Sequence, residues 1–552
     1  MPAMSKTSAA SAAGEWPGQG PVVLCGLGRV GLGVFRLCRR LGKDVVAITL
    51  PGRQDQAELG AAVGIRVIPG DARDETLLVR AGIAKASALI AVTDDDLANV
   101  TIALHARILA PDIPVVVRLF DQDLAGYLRS VLGIRQGYST SALAAPSFVA
   151  AVRGDNVRTT LDLDGKTWSV EDLQIDPSSP WLGRPLAELA ASGKAVLVHS
   201  HGDQVCFDPP CEHVLAPGDA VTLLVPPTEG TRKVPWYRRV RLLARTLRAW
   251  WRSTPRGLRF ALYGLLILVG ISVGVFHVAL GLSPIDAYYF VMTTLSTTGY
   301  GDINLQNAKP LVKLYGTLVM VSGGALFAVI FSVMTDLLLR TRFTDVVAQG
   351  TNYLREHIII AGLGRLGFRV LRQLAHPDQE LVVIEKSAEP QFLGPARSMA
   401  SVIGGDASAV EILQRAGLAG ASAVIAVTDD DLTNLSIALA SKQARPDCRV
   451  VVRVFDQALA ARLQKDLHID AVVSVIDAVA PTFVGAALDR NAVHGTLVHD
   501  RLLLFVESDG VPADARPFLG KRPDGSYQIL APNATPAAND RVLSARWIEL
   551  GN

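Results

Sequence analysis

Residues 293–302 read Thr-Thr-Leu-Ser-Thr-Thr-Gly-Tyr-Gly-Asp and lie between two long apolar stretches, 260–282 and 314–334. Gly299 and Gly301 lack a Cβ and reach backbone dihedrals that other residues avoid. Successive carbonyls of Thr297, Thr298, Gly299, Tyr300 and Gly301 can then point at one axis and replace the hydration shell of a dehydrated cation. Asp302 follows, where it can anchor the segment or attract cations. Ser283-Pro284 can open a short helix, with Pro in the first turn. Residues 285–296 suffice for about three turns, and such a helix aims its partly negative C-terminal end towards the cation. The bland alternative is a tight Gly-Tyr-Gly turn in an ordinary membrane protein.

A second chemistry is phosphate binding, and the chain offers it twice. Val-Val-Leu-Cys-Gly26-Leu-Gly28-Arg29-Val30-Gly31 corresponds to Ile-Ile-Ile-Ala-Gly362-Leu-Gly364-Arg365-Leu366-Gly367. In this fingerprint the first glycine makes a tight turn and the second lets a pyrophosphate approach the backbone. The third allows close packing of helix on strand, and the helix N-terminus offers its free N–H groups to the phosphates. The copies differ at the end of the second strand. Glu385 can accept hydrogen bonds from ribose hydroxyls, whereas the aligned residue of the first copy is Thr49, followed by Leu-Pro-Gly-Arg53. That copy takes a 2′-phosphorylated nucleotide through Arg53, another nucleotide, or none. Thr93-Asp94 and Thr428-Asp429 either complete each crevice or cap the next helix, and capping is their main expected role. Arg118 and Arg453, on or near buried strands, are expected to pair with a neighbouring carboxylate.

These residues need a particular scaffold. Residues 21–150 and 357–485 align almost without gaps. Short β-branched runs at 22–25, 45–48, 66–68, 88–92 and 115–118 alternate with helical patterns. Continuous apolar runs suit strands buried on both faces, and strand–helix alternation predicts a doubly wound parallel sheet. The fold class is therefore multidomain. Two transmembrane helices with a re-entrant pore loop are flanked by two α/β Rossmann-like domains, each with a smaller β-rich lobe. The expected order is a disordered leader (1–20), a first Rossmann-like lobe (21–155) and its β-rich lobe (156–230). A basic linker (231–257), a first span (258–282), a pore helix and filter (283–310) and a second span (311–339) follow. The remainder is a linker (340–356), a second Rossmann-like lobe (357–485) and a degenerate β-rich lobe (486–552).

The net charge of +2 gives no reason to expect nucleic acid. Between residues 232 and 259 there are ten Lys or Arg and no Asp or Glu. Arg238, Arg241, Arg245, Arg248 and Arg252 share one helical face, with Trp236, Tyr237, Trp250 and Trp251 interleaved. This suits an amphipathic helix on anionic membrane lipids; the alternative is a solvated or partner-binding basic helix. Positive flanks before the first span and at Arg340 and Arg342 put both termini on the cytoplasmic side of the cell (inner) membrane. Each apolar stretch has about the ~20 residues that a bilayer requires. No cleavable signal is visible. The cysteines, Cys25, Cys38, Cys206, Cys211 and Cys448, are expected as reduced thiols. Cys206-x4-Cys211-Glu212-His213, with His199 and His201 upstream, matches no standard zinc spacing, so no metal site is assigned from it.

The Thr-x-Gly-Tyr-Gly-Asp run in its membrane setting resembles the selectivity filter of potassium channels. The repeats resemble the RCK (KTN, TrkA-type) domains that regulate potassium conductance in prokaryotic channels and transporters. The resemblance implies a two-transmembrane potassium channel with one RCK domain before and one after the pore. It also implies a homotetramer with eight RCK lobes in a cytosolic ring, and gating by a cytosolic ligand: NAD(H), ADP or ATP, or Ca²⁺. Within it, Asp71 and Asp406 of the Gly-Asp-Ala motifs stand near the adenine. Two departures matter: many such channels carry RCK domains only after the second span, and Thr298 stands where Val or Ile is common, which changes the packing behind the filter on which K⁺ selectivity over Na⁺ depends. Gly323-Gly324 in the second span can hinge a pore-lining helix or let helices pack closely. The competing readings are a membrane-tethered dehydrogenase, for which no His, Lys or Tyr constellation is committed, a non-conducting regulatory subunit of a potassium transporter, and a poorly selective cation channel.

Overall fold

The β-branched runs shared by the two repeats become the central strands of two parallel sheets in the computed structural model of the chain. The structure describes residues 16, 18–51, 64–120, 136–154, 157–163, 166–202, 204–207, 209–227, 256–339, 354–376, 378–387, 389–455, 467, 469–510, 515–521, 527–530 and 541–551. Arg53, most of the leader, the basic stretch 232–255, and Arg340 and Arg342 lie outside the described residues. The chain forms two compact units, residues 1–231 with 355–552, and residues 232–354.

In the first unit, strands β1 (Val22–Cys25), β2 (Val45–Thr49), β3 (Arg66–Pro69), β4 (Ala88–Ala91), β5 (Val115–Arg118) and β6 (Gln136–Tyr138) pair in the order β3-β2-β1-β4-β5-β6. Every pairing is parallel. This is the doubly wound order, with its reversal point beside β1 and β4, where ligands of such sheets sit. An antiparallel sheet follows, built of β7 (Val157–Leu163), β8 (Lys166–Gln174), β9 (Ala195–His201), β10 (Gln204–Phe207) and β11 (Asp219–Val225), in the order β10-β9-β11-β8-β7.

The second copy repeats both sheets. Strands β12 (His357–Ala361), β13 (Leu381–Glu385), β14 (Ser401–Gly404), β15 (Ala421–Ala426), β16 (Arg449–Val454) and β17 (Ala471–Ser474) pair as β14-β13-β12-β15-β16-β17. Strands β18 (Ala492–Val498), β19 (Arg501–Asp509), β20 (Arg516–Lys521), β21 (Tyr527–Ile529) and β22 (Arg541–Glu549) pair as β18-β19-β22-β20-β21. Read across the sheet, each small lobe runs first, second, fifth, third, fourth strand. The second small lobe is degenerate in sequence and complete in topology.

The copies are not separate beads. Helix Arg29–Arg40 of the first packs on Val475–Leu488 of the second, and Arg365–Leu374 of the second packs on Thr140–Arg153 of the first. Phe148 and Phe483 are wholly buried in the core shared by both copies; each such side chain contributes about 1.5–3 kcal/mol. The small lobes share a second core, in which Trp168 and Leu197 meet Leu503, Phe505 and Phe518. Trp16 and residues 18–20, expected within a disordered leader, are ordered against the first lobe: Lys43 donates to the Gly18 carbonyl at 2.8 Å and lies over the Trp16 ring, and Ser87 donates to the Gly20 carbonyl.

Among the described residues the second unit has three helices, Arg256–Leu280, Pro284–Leu295 and Pro310–Leu339. The long ones contain apolar segments Leu262–Leu280 and Pro310–Val329, of 19 and 20 residues, long enough to cross a membrane. The first helix stops at Leu280, two residues before its apolar run ends, because Gly281 turns the chain at φ 66°. Phe276, Phe290, Val291, Leu295 and Val319 form the small core that holds the short helix between the long ones.

Candidate functional site

The pore segment is built on the short helix. Ser283 caps it by accepting from the Asp286 N–H at 3.1 Å, while its hydroxyl donates to the Asp286 carboxylate at 2.7 Å. Pro284 occupies the first turn. At the other end the Thr293 carbonyl accepts from the N–H groups of Thr298 (3.0 Å) and Gly299 (3.1 Å), so the helix terminus itself folds the segment back. Gly299 and Gly301 adopt φ of 53° and 81°, as their lack of a Cβ suggested. Thr297 also stands in the left-handed region, at φ 58°. A non-glycine residue there stores about 1–3 kcal/mol, and nothing in its residue type signalled this. The Asp302 carboxylate interacts with the hydroxyl of Tyr289 on the short helix. Tyr300 is 72% exposed.

Gly323 and Gly324 separate in role. A Cβ at Gly323 would lie 2.3 Å from Leu295 Cδ2, so this glycine seats the end of the short helix against the second span; a Cβ at Gly324 meets nothing within 4 Å.

The second site is a cavity of about 970 Å³ in the first unit, between the two glycine loops. That is at the upper end of small-molecule sites, about 300–1,000 Å³. Gly362 turns at φ 106° and Gly26 at φ 99°. A Cβ on Gly367 would lie 2.0 Å from the Gly362 carbonyl oxygen, and one on Gly31 2.1 Å from that of Gly26. The third glycine of each run is therefore a packing requirement. Gly364 has an ordinary φ of −72° and open space where its Cβ would be, and no side chain caps the helix it begins. Its N–H groups face the cavity unclaimed by a cap, as phosphate binding requires.

The structure brings Gly362, Gly364, Arg365, Leu366, Glu385, Asp406 and Thr428 to this one cavity, together with Gly28, Arg29 and Val30 of the first copy. Gly26, Gly31, Gly367, Asp71 and Thr93 are not among its lining residues. Glu385 accepts from the Leu363 N–H at 2.6 Å and the Ser387 N–H at 2.8 Å, so the acid also fixes the glycine loop. The Ser408 hydroxyl and then Lys386, 2.9 Å away, hold the Asp406 carboxyl at about 2. Asp71 is instead bound by Arg73 at 3.0 and 2.5 Å.

Four arginines line the cavity, and two reach across from the opposite copy. Arg29 donates to the Asp429 carbonyl at 2.9 Å and lies 4.1 Å over Phe455; Arg365 lies 3.5 Å over Phe120. Arg118 pairs with Asp94 at 2.8 Å, as expected, whereas Arg453 donates to the Thr428 carbonyl at 2.9 Å. The Nε of each finds no hydrogen-bond partner among the described residues. Burial pulls Arg453 down to about 10, against the attraction of Asp431 and Asp429, which leaves it cationic at neutral pH. A cavity with cationic groups and two helix N-termini favours an anion.

The helix caps lie one residue later than expected. Asp95 and Asp430 cap the helices Asp96–Leu109 and Asp431–Ala444. Thr93 and Thr428 are engaged instead by the buried Asn99 and Asn434, whose Oδ1 atoms each accept from both the threonine N–H and its hydroxyl. The Asn at position +6 after each Thr is visible in the repeat, but only its burial reveals the role.

The TrkA-N domain matches residues 22–139 and 358–475, and the ion channel domain matches residues 263–340. The voltage-gated potassium channel Kch of Escherichia coli (strain K12) is 26% identical over 242 residues, 42% of this chain and 56% of that protein. An uncharacterised protein of Methanothermus fervidus is 30% identical over 209 residues, 36% of this chain and 32% of its own length. The chain thus spans about a third to just over half the length of these curated relatives. Among solved structures, the GsuK channel is 16% identical with a TM-score of 0.53, covering 97% of this chain and 78% of its own. The GsuK channel bound to NAD gives 0.50 over the same shares. The chain thus carries a TrkA-N domain on each side of an ion channel domain.

Proposed function

We propose that four copies of this chain form a potassium-selective channel of the cell membrane, gated by an adenine nucleotide held in the cavity beside Gly362 and Glu385. The observation that carries the conduction half is the Thr297–Asp302 segment, folded back from the short helix between two apolar helices, with three residues in the left-handed region. One chain supplies one such segment, and a ring of carbonyls needs several around an axis. The four chains contribute eight TrkA-N lobes to a cytosolic ring, with both termini cytoplasmic and the basic stretch against anionic lipids. Gly324 is the hinge candidate of the pair, since Gly323 is committed to packing.

Gating rests on the cavity. The nucleotide's phosphates take the helix start at Gly364–Leu366, its ribose takes Glu385, and its adenine lies by Asp406. The NAD held by the GsuK structure supports this ligand class. Arg29 comes from the other copy, so a ligand there touches both copies at once. It shifts the ring only if it binds one arrangement more tightly. Recording single channels while NAD⁺, NADH, ADP or ATP is perfused on the cytosolic face tests the proposal. A changed open probability with at least one of them is expected; indifference to all four overturns nucleotide gating.

A further inference from the structure

The first small lobe brings together residues that are scattered in the sequence. His199 and His201 lie two apart on β9 and so project from the same face. Asp219 opens β11 directly opposite His201 in the antiparallel register. His213 comes from the preceding loop, which is tied to the lobe by Leu186 N–H donating to the His213 carbonyl at 2.9 Å. The result is a buried carboxylate ringed by imidazoles. Asp219 Oδ2 lies 3.1 Å from His199 Nε2 and 3.6 Å from His213 Nε2, and Oδ1 lies 2.6 Å from His201 Nδ1. The Asp219 side chain is 2% exposed and that of His199 9%.

The hydrogen bonding of this group is incomplete. Oδ2 already accepts from the Ala216 N–H at 2.8 Å. The Nε2 atoms of His199 and His213 are both buried, and neither makes an aligned hydrogen bond among the described residues. Their rings lie 4.1 Å apart, and both Nε2 atoms lie within 3.6 Å of the same oxygen. Leaving a buried ring nitrogen unpaired costs about 1–3 kcal/mol, and here two such nitrogens crowd one carboxylate oxygen without good alignment. A cation would satisfy both at once.

We propose that His199, His213 and Asp219 bind a divalent first-row transition ion, with His201 holding the carboxylate's other oxygen. The three ligand atoms lie within 4.8 Å of one another. Bonds of about 2.0–2.2 Å at tetrahedral angles place ligand atoms about 3.4 Å apart, close to the 3.1 and 3.6 Å found here. Two imidazoles and one carboxylate suit Zn²⁺ and its neighbours, and not Ca²⁺ or Mg²⁺, which take oxygen ligands. The hydrogen bond from His201 orients the carboxylate, as partners of metal-bound groups do. The cysteines nearby in sequence, Cys206 and Cys211, are not in the cluster. Such an ion fastens the loop before β11 to the sheet. The site stands whether or not the channel conducts.

The test uses the full chain in detergent, stripped with chelator and titrated with Zn²⁺, reading stoichiometry by elemental analysis and affinity by calorimetry. One Zn²⁺ per chain is expected. Losing a mere supporting partner weakens such sites about 10–100-fold, so His213→Gln and Asp219→Asn should each weaken binding about tenfold or more. His213 is half-exposed, so its variant should keep the far-UV circular dichroism of the native chain. Replacing Cys206 and Cys211 together by Ser should leave stoichiometry and affinity unchanged. The proposal is overturned if the native chain takes up no more Zn²⁺ than folded His213→Gln, or if the ion is lost in the cysteine variant and kept in the other two.

Discussion

Replacing Gly364 by Ala separates fold from ligand at the proposed nucleotide site. Its φ of −72° suits any residue, and an added Cβ meets nothing within 4 Å. Alanine is a poorer N-cap than glycine, so the expected loss of stability is about 1 kcal/mol or less. The methyl group nevertheless occupies the space through which a pyrophosphate approaches the helix N-terminus. Losing one hydrogen bond to a charged acceptor costs about 1.5–3 kcal/mol. With 1.4 kcal/mol per factor of ten, nucleotide affinity should fall about 10–150-fold. Calorimetric titration of the whole protein with NAD⁺ and ADP, beside a thermal melt of the same sample, measures both quantities. A variant that melts like the native chain and binds nucleotide equally well would refute the placement of phosphates at this helix.

Gly367→Ala is the contrasting change: its Cβ would lie 2.0 Å from the Gly362 carbonyl oxygen, a backbone atom that cannot swing aside, so overpacking should cost about 1–3 kcal/mol and lower the melting temperature of the first unit measurably. Gly301→Ala places a side chain at φ 81° at about 1–2 kcal/mol of strain; the ratio of K⁺ to Na⁺ flux should fall towards one, and an unchanged ratio would remove Gly301 from the filter. His494 joins the two small lobes through Thr159 at 2.9 Å, and burial holds it down to about 4. The unfolded chain protonates near 6.5, so stability should be level above that pH and fall by about 3 kcal/mol on acidification from 6.5 to 4. In urea titrations across this range, a His494→Gln chain should lack that slope, and an equal slope in both would assign the acid sensitivity elsewhere.

Local pattern made much of this protein legible. The strands stand out because both faces are buried and every position must be apolar. The glycine loops stand out because geometry excludes other residues at Gly26, Gly31, Gly362 and Gly367. What was hidden depends on distant contacts. The approach of Arg29 to Phe455 and of Arg365 to Phe120 follows from the packing of the first helix of each copy on the last helix of the other, and no periodicity encodes that partner. The separation of Gly323 from Gly324 depends on where Leu295 falls. Sequence spacing drew attention to Cys206 and Cys211, while the register of β9 on β11 gathers His199, His201 and Asp219. The second small lobe keeps its strand order with little sequence likeness, because a sheet of this kind requires only alternating burial and tolerates wide exchange of side chains.

Potassium flux into liposomes containing only this protein tests the central claim most directly. The account predicts K⁺ uptake well above Na⁺ uptake, abolished by disrupting residues 297–301. Proteoliposomes that hold folded protein yet admit neither ion under any nucleotide condition, or admit both equally, would contradict it.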